Sequence, residues 1–331
     1  MIGPTYRSRV PTSPRIAAAP KAELHLHVEG TLEPEMVFDL ARRNRVEVPF
    51  ADVDTLRRAH RFADLASFLT LYYDCMAVLR TEQDFHDLAA AYLRRAHADG
   101  VVHVEMFFDP QAHTARGVPL AQVVRGLASA AREARVAFAM SVSLIACFLR
   151  DRGADEAMRT LEQLAGHTDD LVAVGLDSAE VGYPPKDFAD VFAAAAGLGL
   201  HRVAHAGEEG PPDYVWQALD VLGVERIDHG IRCVEDAALL RRLAADRTPL
   251  TVCPLSNVRL RCVETMAEHP LPRMLDAGLL VTLNSDDPAY FGGYLDANYA
   301  AVQDAFALTD DDLAALAAGS LDAAFGGERA G

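Results

Sequence analysis

The chain has 331 residues, half of them hydrophobic, with 48 acidic against 31 basic side chains and a formal net charge of −17. This composition excludes a disordered polymer, which would carry too few apolar residues to offset its ordering entropy. The acidic balance excludes nucleic acid as a partner, because the bases form no stripe able to neutralise phosphates, and it favours a neutral small molecule over a polyanion.

In chain order, residues 1–20 hold four prolines and small polar side chains and are expected to be a flexible lead-in. They contain Arg7, Arg9 and Arg15 but no continuous apolar stretch, so no secretory signal is expected. Eight short apolar runs follow: Ala22–His27, Val101–Phe108, Phe138–Cys147, Leu171–Leu176, Leu200–His205, Arg226–His229, Pro249–Cys253 and Leu279–Asn284. Several are almost continuously apolar, as in parallel strands buried on both faces. Amphipathic helical stretches lie between them, among them Phe85–Ala98, Leu120–Ala134, Ala154–Ala165 and Asp236–Ala245.

This alternation predicts an α/β chain folded as a (β/α)8 TIM-type barrel, with residues 21–331 as one catalytic domain. A doubly wound sheet fits less well, because no GxGxxG turn follows the first run. The connection 28–100 is too long for one helix and is expected to be a helical cap inserted after strand 1. No apolar run approaches ~18 residues, so no membrane span is expected. The five cysteines form no CxxC pair, which points to free buried thiols in a reducing, cytoplasmic setting. The oligomeric state is not legible.

In such barrels chemistry sits at the C-terminal ends of the strands. The first run ends in His25-Leu26-His27, and alternation along a strand points both imidazoles to one face. The fifth run ends in His205-Ala206-Gly207-Glu208, the sixth in Asp228-His229-Gly230 and the eighth in Asn284-Ser285-Asp286-Asp287-Pro288. Any one of these has an ordinary structural explanation; Asp286 and Asp287, for instance, equally suit the start of a helix. Together they suggest metal-assisted hydrolysis. His25, His27, His205 and Asp286 would form an N/O zinc shell with a position left open for water. The fourth run ends without a lysine to bridge two metals, and Lys21 and Lys186 are the only lysines in the chain, so one metal is expected.

Glu23-Leu24-His25-Leu26-His27-Val28-Glu29-Gly30-Thr31, His205-Ala206-Gly207-Glu208, Arg226-Ile227-Asp228-His229-Gly230 and Asn284-Ser285-Asp286-Asp287-Pro288 resemble the adenosine/adenine deaminase family of the amidohydrolase superfamily. The resemblance runs from about residue 22 to about 325. It implies one Zn2+ per chain, with iron as the alternative metal, and a 6-aminopurine substrate. It further implies that Glu208 protonates purine N1 as C6 is attacked. His229 would orient the zinc water and stabilise the oxyanion, sharing proton removal with Asp286, while Asp287 would hydrogen-bond N7 and Gly207 would belong to the substrate-binding set. Protonation of a ring nitrogen requires a neutral Glu208, hence a raised pKa in a dry pocket. Gly319, where the family usually has Asn, departs from the pattern only in the last helix.

Adenosine-type members of the family carry Asp-Gly after the first histidine pair, and that Asp contacts the ribose. This chain has Val28-Glu29-Gly30, and the longer Glu29 would crowd a ribose. Asp177-Ser178-Ala179-Glu180-Val181-Gly182 also resembles the adenine branch, with Ser178 or Glu180 expected at the N3/N9 edge of a free base. The expected reaction is therefore adenine to hypoxanthine plus ammonia, in purine salvage. Adenosine, 6-aminodeoxyfutalosine and N6-substituted adenines are alternatives within the class. A catalytically inactive purine-binding barrel and a phosphoesterase are alternatives outside it. Cys253-Pro254-Leu255-Ser256-Asn257 is expected to shape the pocket without taking part in the chemistry.

Overall fold

The structure is a computed structural model that describes residues 12–325. Eight parallel strands lie side by side in sequence order: β1 Lys21–His27, β2 Val101–Phe108, β3 Ser141–Leu149, β4 Leu171–Asp177, β5 His201–Ala206, β6 Arg226–His229, β7 Leu250–Val252 and β8 Val281–Leu283. The ring is completed at the mouth, where Leu26 bridges Asp286 just past β8. His27 N–H donates to the Asp286 carbonyl at 3.0 Å, and Asp286 N–H to the His25 carbonyl at 3.1 Å. The expected (β/α)8 barrel is the observed fold. All seven residues of β1 are buried, as required of a strand with helices outside and side chains filling the barrel within. Between Glu23 and Leu26, β1 carries one more residue than β2, a bulge that resets the pairing just before the His25–His27 pair. The third run began too early. Phe138 ends the helix Leu120–Phe138, and Ala139, at φ 53°, turns the chain toward β3.

The connection after β1 holds the helices Pro34–Asn44, Val53–Ala59 and Leu65–Met76, and then Glu82–Ala98. Glu82–Ala98 packs along Leu120–Phe138 and against β2 as the barrel's own first helix, so the cap is shorter than the expected 28–100. Leu65–Met76 starts at a capping box, in which Asp64 and Ser67 each accept from the other's backbone N–H. It buries Leu65, Phe68 and Tyr72 at helical spacing, which lays an apolar stripe over the mouth. Of the expected lead-in, residues 1–11 lie outside the described residues. The remainder is packed: Ile16 is fully buried, and the Lys21 ammonium donates to the carbonyls of Ile16, Ala19 and Asp99. The last helix, Asp310–Asp322, runs unbroken through Gly319, and Ser320 Oγ accepts from Ala22 N–H at 2.8 Å. Among the described residues no helix is long and apolar enough to cross a membrane, and all five cysteines are free.

Candidate active site

The imidazoles at the mouth turn their Nε2 atoms inward. His27 Nε2 lies 3.2 Å from His205 Nε2, and Asp286 Oδ1 lies 3.3 Å from His25 Nε2 and 3.5 Å from His27 Nε2. The other ring nitrogens fix the tautomers of two of these rings. Thr251 Oγ1 donates to Asp228 Oδ1 at 2.8 Å, so it accepts from His25 Nδ1 at 2.9 Å. His205 Nδ1 lies 3.1 Å from the Leu176 carbonyl, which can only accept. Both rings therefore carry the proton on Nδ1 and aim a lone pair at the centre, the arrangement of metal-binding histidines. His25 Nε2 is buried without a hydrogen-bond partner, an orphan that a cation satisfies.

Burial lowers the pKa of His27 to about 4 and takes His205 well below the ordinary imidazole range, so both rings are neutral and able to offer a lone pair. Burial also opposes a charged His25, but the Asp286 carboxylate beside it outweighs that and raises its pKa. Burial likewise works against the Asp286 carboxylate, yet His25 beside it holds the group ionised. Three nitrogens and one carboxylate oxygen, with no thiolate, suit a mononuclear zinc shell, and the residues fit such an ion. One group of converging donors is His25, His205, His229 and Asp286, with His229 in place of the expected His27; His27 converges instead with Asp286 and Asp287, and with Asp109 and Asp177. Ser178, His229 and Asp286, at or just past the ends of β4, β6 and β8, sit at φ 70°, 64° and 65°. Left-handed backbone is unfavourable for such residues and persists where the surroundings enforce it, as at functional sites.

Glu208 follows β5 and is buried, with Oε2 3.5 Å from His229 Nε2. Burial, and then the neighbouring carboxylates of Asp286 and Glu180, push its pKa well above the usual carboxylate range, which favours its protonated form. A directed hydrogen-bond chain reaches His229 from behind. Leu271 N–H donates to His269 Nδ1 at 3.1 Å, which leaves His269 Nε2–H to donate to Asn257 Oδ1 at 3.2 Å. Asn257 Nδ2 then faces His229 Nδ1 at 3.3 Å and can only donate. The backbone amide at the start of the chain thus sets the proton of neutral His229 on Nε2, facing Glu208 and Asp286. Asn257 reaches the chemistry directly, beyond the pocket-shaping part expected of its segment. His269 carried no sequence signal at all.

A cavity lies over this cluster, roofed by Leu65, Phe68, Tyr72 and Tyr73. Asp287 and Ser178 line it, as expected. Gly30 lets Asp287 in, since a Cβ there would meet Asp287 Oδ1 at 2.0 Å. Three other expected substrate contacts are engaged elsewhere. Glu180 accepts from the N–H groups of Gly207 (2.6 Å), Glu208 (3.1 Å), Glu209 (2.8 Å) and Gly210 (2.8 Å), so it anchors the loop that carries Glu208. The Gly207 amide is thereby taken. Glu29 Oε1 is held by His113 Nε2 at 2.6 Å and by Asp109 N–H at 3.2 Å, so it braces the turn after β2 and does not face a ribose. Two lining carboxylates carried no role in the sequence reading: Asp109, just past β2, and Asp177, at the end of β4. Their position at strand ends was the available signal.

A family model described as adenosine deaminase matches residues 20–329. An adenine deaminase of Streptomyces coelicolor is 64% identical over 306 residues, 92% of this chain and 90% of that protein. Another, of Cupriavidus taiwanensis, is 56% identical over 94% of this chain and 89% of its own. The crystal structure of an adenine deaminase from Arthrobacter aurescens superposes with a TM-score of 0.92 at 54% identity, covering 94% of this chain and 95% of that one. An amidohydrolase from Burkholderia ambifaria, solved with bound Zn, superposes at 0.88 with 27% identity, covering 96% and 90%. Matched along nearly its whole described length, in sequence and in fold, the chain belongs to the adenosine deaminase family and is a hydrolytic deaminase.

Proposed function

We propose that this enzyme hydrolyses free adenine to hypoxanthine and ammonia, a step of purine salvage, using one divalent metal held by His25, His27, His205 and Asp286. Zinc is the expected ion and iron the alternative. The observation that carries the reading is the buried Glu208 carboxyl, its protonated form favoured, set beside an inward-facing N/O donor cluster. The activity named for the Streptomyces and Arthrobacter relatives supports adenine as the base. When bound, the metal acts as a Lewis acid and lowers the pKa of a coordinated water from 15.7 toward about 7.

The chain's own groups do the rest. Glu208 donates its proton to ring N1, which relieves the charge that builds there as oxygen adds to C6. His229, neutral and protonated on Nε2, donates a hydrogen bond to that oxygen. Asp286, held ionised well below the usual carboxylate range, accepts the proton that the attacking water gives up. Asp287, raised by burial and by Asp286 beside it, donates to N7. The roof of Leu65, Phe68 and Tyr72 covers the ring and excludes water.

Purified enzyme is expected to convert adenine with kcat/KM well above that for adenosine or N6-substituted adenines, followed by absorbance with metal analysis of the same sample. A higher kcat/KM on adenosine would reject the free-base assignment. Asn257→Leu is expected to lower kcat about 10–100-fold, as for other partners that orient an active-site imidazole. KM should change less than kcat, because Asn257 is not itself a lining residue and acts through the groups it holds, His229 (3.3 Å) and Glu208 (3.5 Å). Steady-state kinetics checks this split.

A further inference from the structure

The cavity wall falls into two polar halves. One, from β5, β6 and β8, supplies Glu208, His229, Asp286 and Asp287. The other supplies Asp109 beyond β2, and Asp177 and Ser178 at β4. On the proposed reading, a purine with C6 over the donor cluster turns N1 to Glu208 and N7 to Asp287. Its remaining polar edge, N3 and N9, then faces the second half. Leu65, Phe68 and Leu260 offer no partner for a ring nitrogen, whereas the roof hydroxyls of Tyr72, buried without a hydrogen-bond partner, and Tyr73 do.

Asp109 is built for a ligand. It is 2% exposed, its Oδ1 is buried with no hydrogen-bond partner, and Asp177 Oδ1 is likewise unpartnered. Unpartnered buried carboxylate oxygens are costly and need a donor from somewhere. The position of Asp109 is fixed from behind by a chain of buried groups. Arg116 Nη2 donates to His113 Nδ1 at 2.6 Å, His113 Nε2–H donates to Glu29 Oε1 at 2.6 Å, and the same oxygen takes Asp109 N–H at 3.2 Å. Carboxylate oxygens of Asp109 and Asp177 lie within 4.8 Å of each other and of a ring nitrogen of His27.

We infer that Asp109 is the specificity-determining residue for free base over nucleoside, its unpartnered oxygen accepting the N9–H that only an unsubstituted purine carries. This rests on the proposed adenine reading. Whatever the proton count of the Asp109–Asp177 pair, it presents acceptor lone pairs to that edge, and Ser178 Oγ, 3.4 Å from Tyr73 Oη, is within reach of N3. A substituent on N9 removes the N–H and leaves the Asp109 oxygen desolvated without a partner. Sites that hydrogen-bond a substrate N–H reject analogues lacking it by about 10⁴–10⁵-fold. Glu29 enters the preference indirectly, by fixing the Asp109 backbone, which explains how a residue outside the cavity wall can mark the branch.

The test compares adenine with 9-methyladenine, which shares the reacting ring and lacks the N–H. In Asp109→Ala the ratio of their kcat/KM values is expected to fall at least ~100-fold from wild type, with metal content still one per chain. Asp109→Asn, which keeps a carbonyl acceptor, should retain part of the preference. A parallel loss on both substrates would reduce Asp109 to a structural residue and overturn the inference. So would two metals per wild-type chain with one lost in Asp109→Ala, since the carboxylates would then serve a second cation. If Asp109→Ala does not fold, competitive inhibition of the wild-type enzyme by purine and 9-methylpurine gives the same reading. Purine should bind at least ~100-fold more tightly, and equal inhibition overturns the inference. Wild-type enzyme that fails to turn over adenine sinks the proposed function along with it; wild-type enzyme that does so, with an unmoved ratio in the variant, sinks the Asp109 assignment alone.

Discussion

Glu208→Gln is expected to lower kcat on the order of 10³-fold while the metal content of the protein stays at the wild-type level. Gln fills the same volume and can still donate a hydrogen bond to a ring nitrogen, but it has no proton to transfer. The loss therefore isolates proton transfer from positioning. The metal should remain, because Glu208 approaches the donor cluster only through His229 Nε2 at 3.5 Å and is not one of the atoms that converge there. The pH profile gives the sign. Burial, with Asp286 and Glu180 nearby, raises the Glu208 pKa, and the active form is the protonated one. Activity of the wild-type enzyme should thus hold through neutral pH and fall as pH rises through the folded pKa, and the Gln variant should lose that alkaline limb. Retained turnover, or a Gln variant that keeps the limb, would take the acid role away from Glu208.

Removing the metal is expected to have a comparable or larger effect. Chelation should reduce activity on the order of 10⁴-fold or more, because the enzyme then has no Lewis acid to bring a water's pKa down from 15.7. Zinc added back should restore it. His205→Ala is the genetic counterpart. It deletes an inward Nε2 lone pair whose orientation is set by the Leu176 carbonyl at 3.1 Å. The variant should bind substoichiometric metal by elemental analysis and should not be rescued by metal at concentrations that saturate the wild type. Metal that binds the native state alone also adds stability, so the apo protein should melt below the loaded one. Full activity in a metal-free preparation would dismiss the reading of His25, His27, His205 and Asp286 as ligands.

Much of this site could be read from the chain because strand ends leave a local signature. An apolar run that stops in His-x-His, in His-Ala-Gly-Glu or in Asp-Asp-Pro already says which side chains stand at a barrel mouth, since period two and the parallel barrel fix their direction. What the sequence did not carry is where a carboxylate turns once it gets there. Glu180 lies three residues past the end of β4, yet its oxygens turn back to four amides of the next loop, a rotamer choice with no trace in spacing. The length of Glu29 relative to Asp suggests a wall against a ribose, but its partner, His113, comes from a helix 84 residues away. Asp109 leaves no signal of its own, because Phe-Phe-Asp-Pro looks like the end of a strand and nothing more. Asn257 and His269 are 12 residues apart and meet only because the chain after β7 folds back. The helical cap was legible as helix, but its boundary was not. Glu82–Ala98 has the same amphipathic pattern whether it roofs the mouth or packs on the barrel wall, and only the tertiary contact with Leu120–Phe138 decides.

The seam between the first strand and the residues past the last has a consequence for how the enzyme comes into being. The hydrogen bonds that shut the barrel are made by His25, His27 and Asp286 themselves, so closure and assembly of the donor cluster are one event. A chain emerging from the ribosome can have folded the strands bearing His25, His27, His205 and His229 and still possess no complete site, because residue 286 has yet to appear. Chains are made at about 5–20 residues per second and domains fold as units, N-terminal parts first, so the interval between His205 and Asp286 is a period of several seconds in which the imidazoles are exposed together without their carboxylate. On the proposed ligand set, metal capture is tied to completion of the barrel, and an incomplete chain is expected to be catalytically silent.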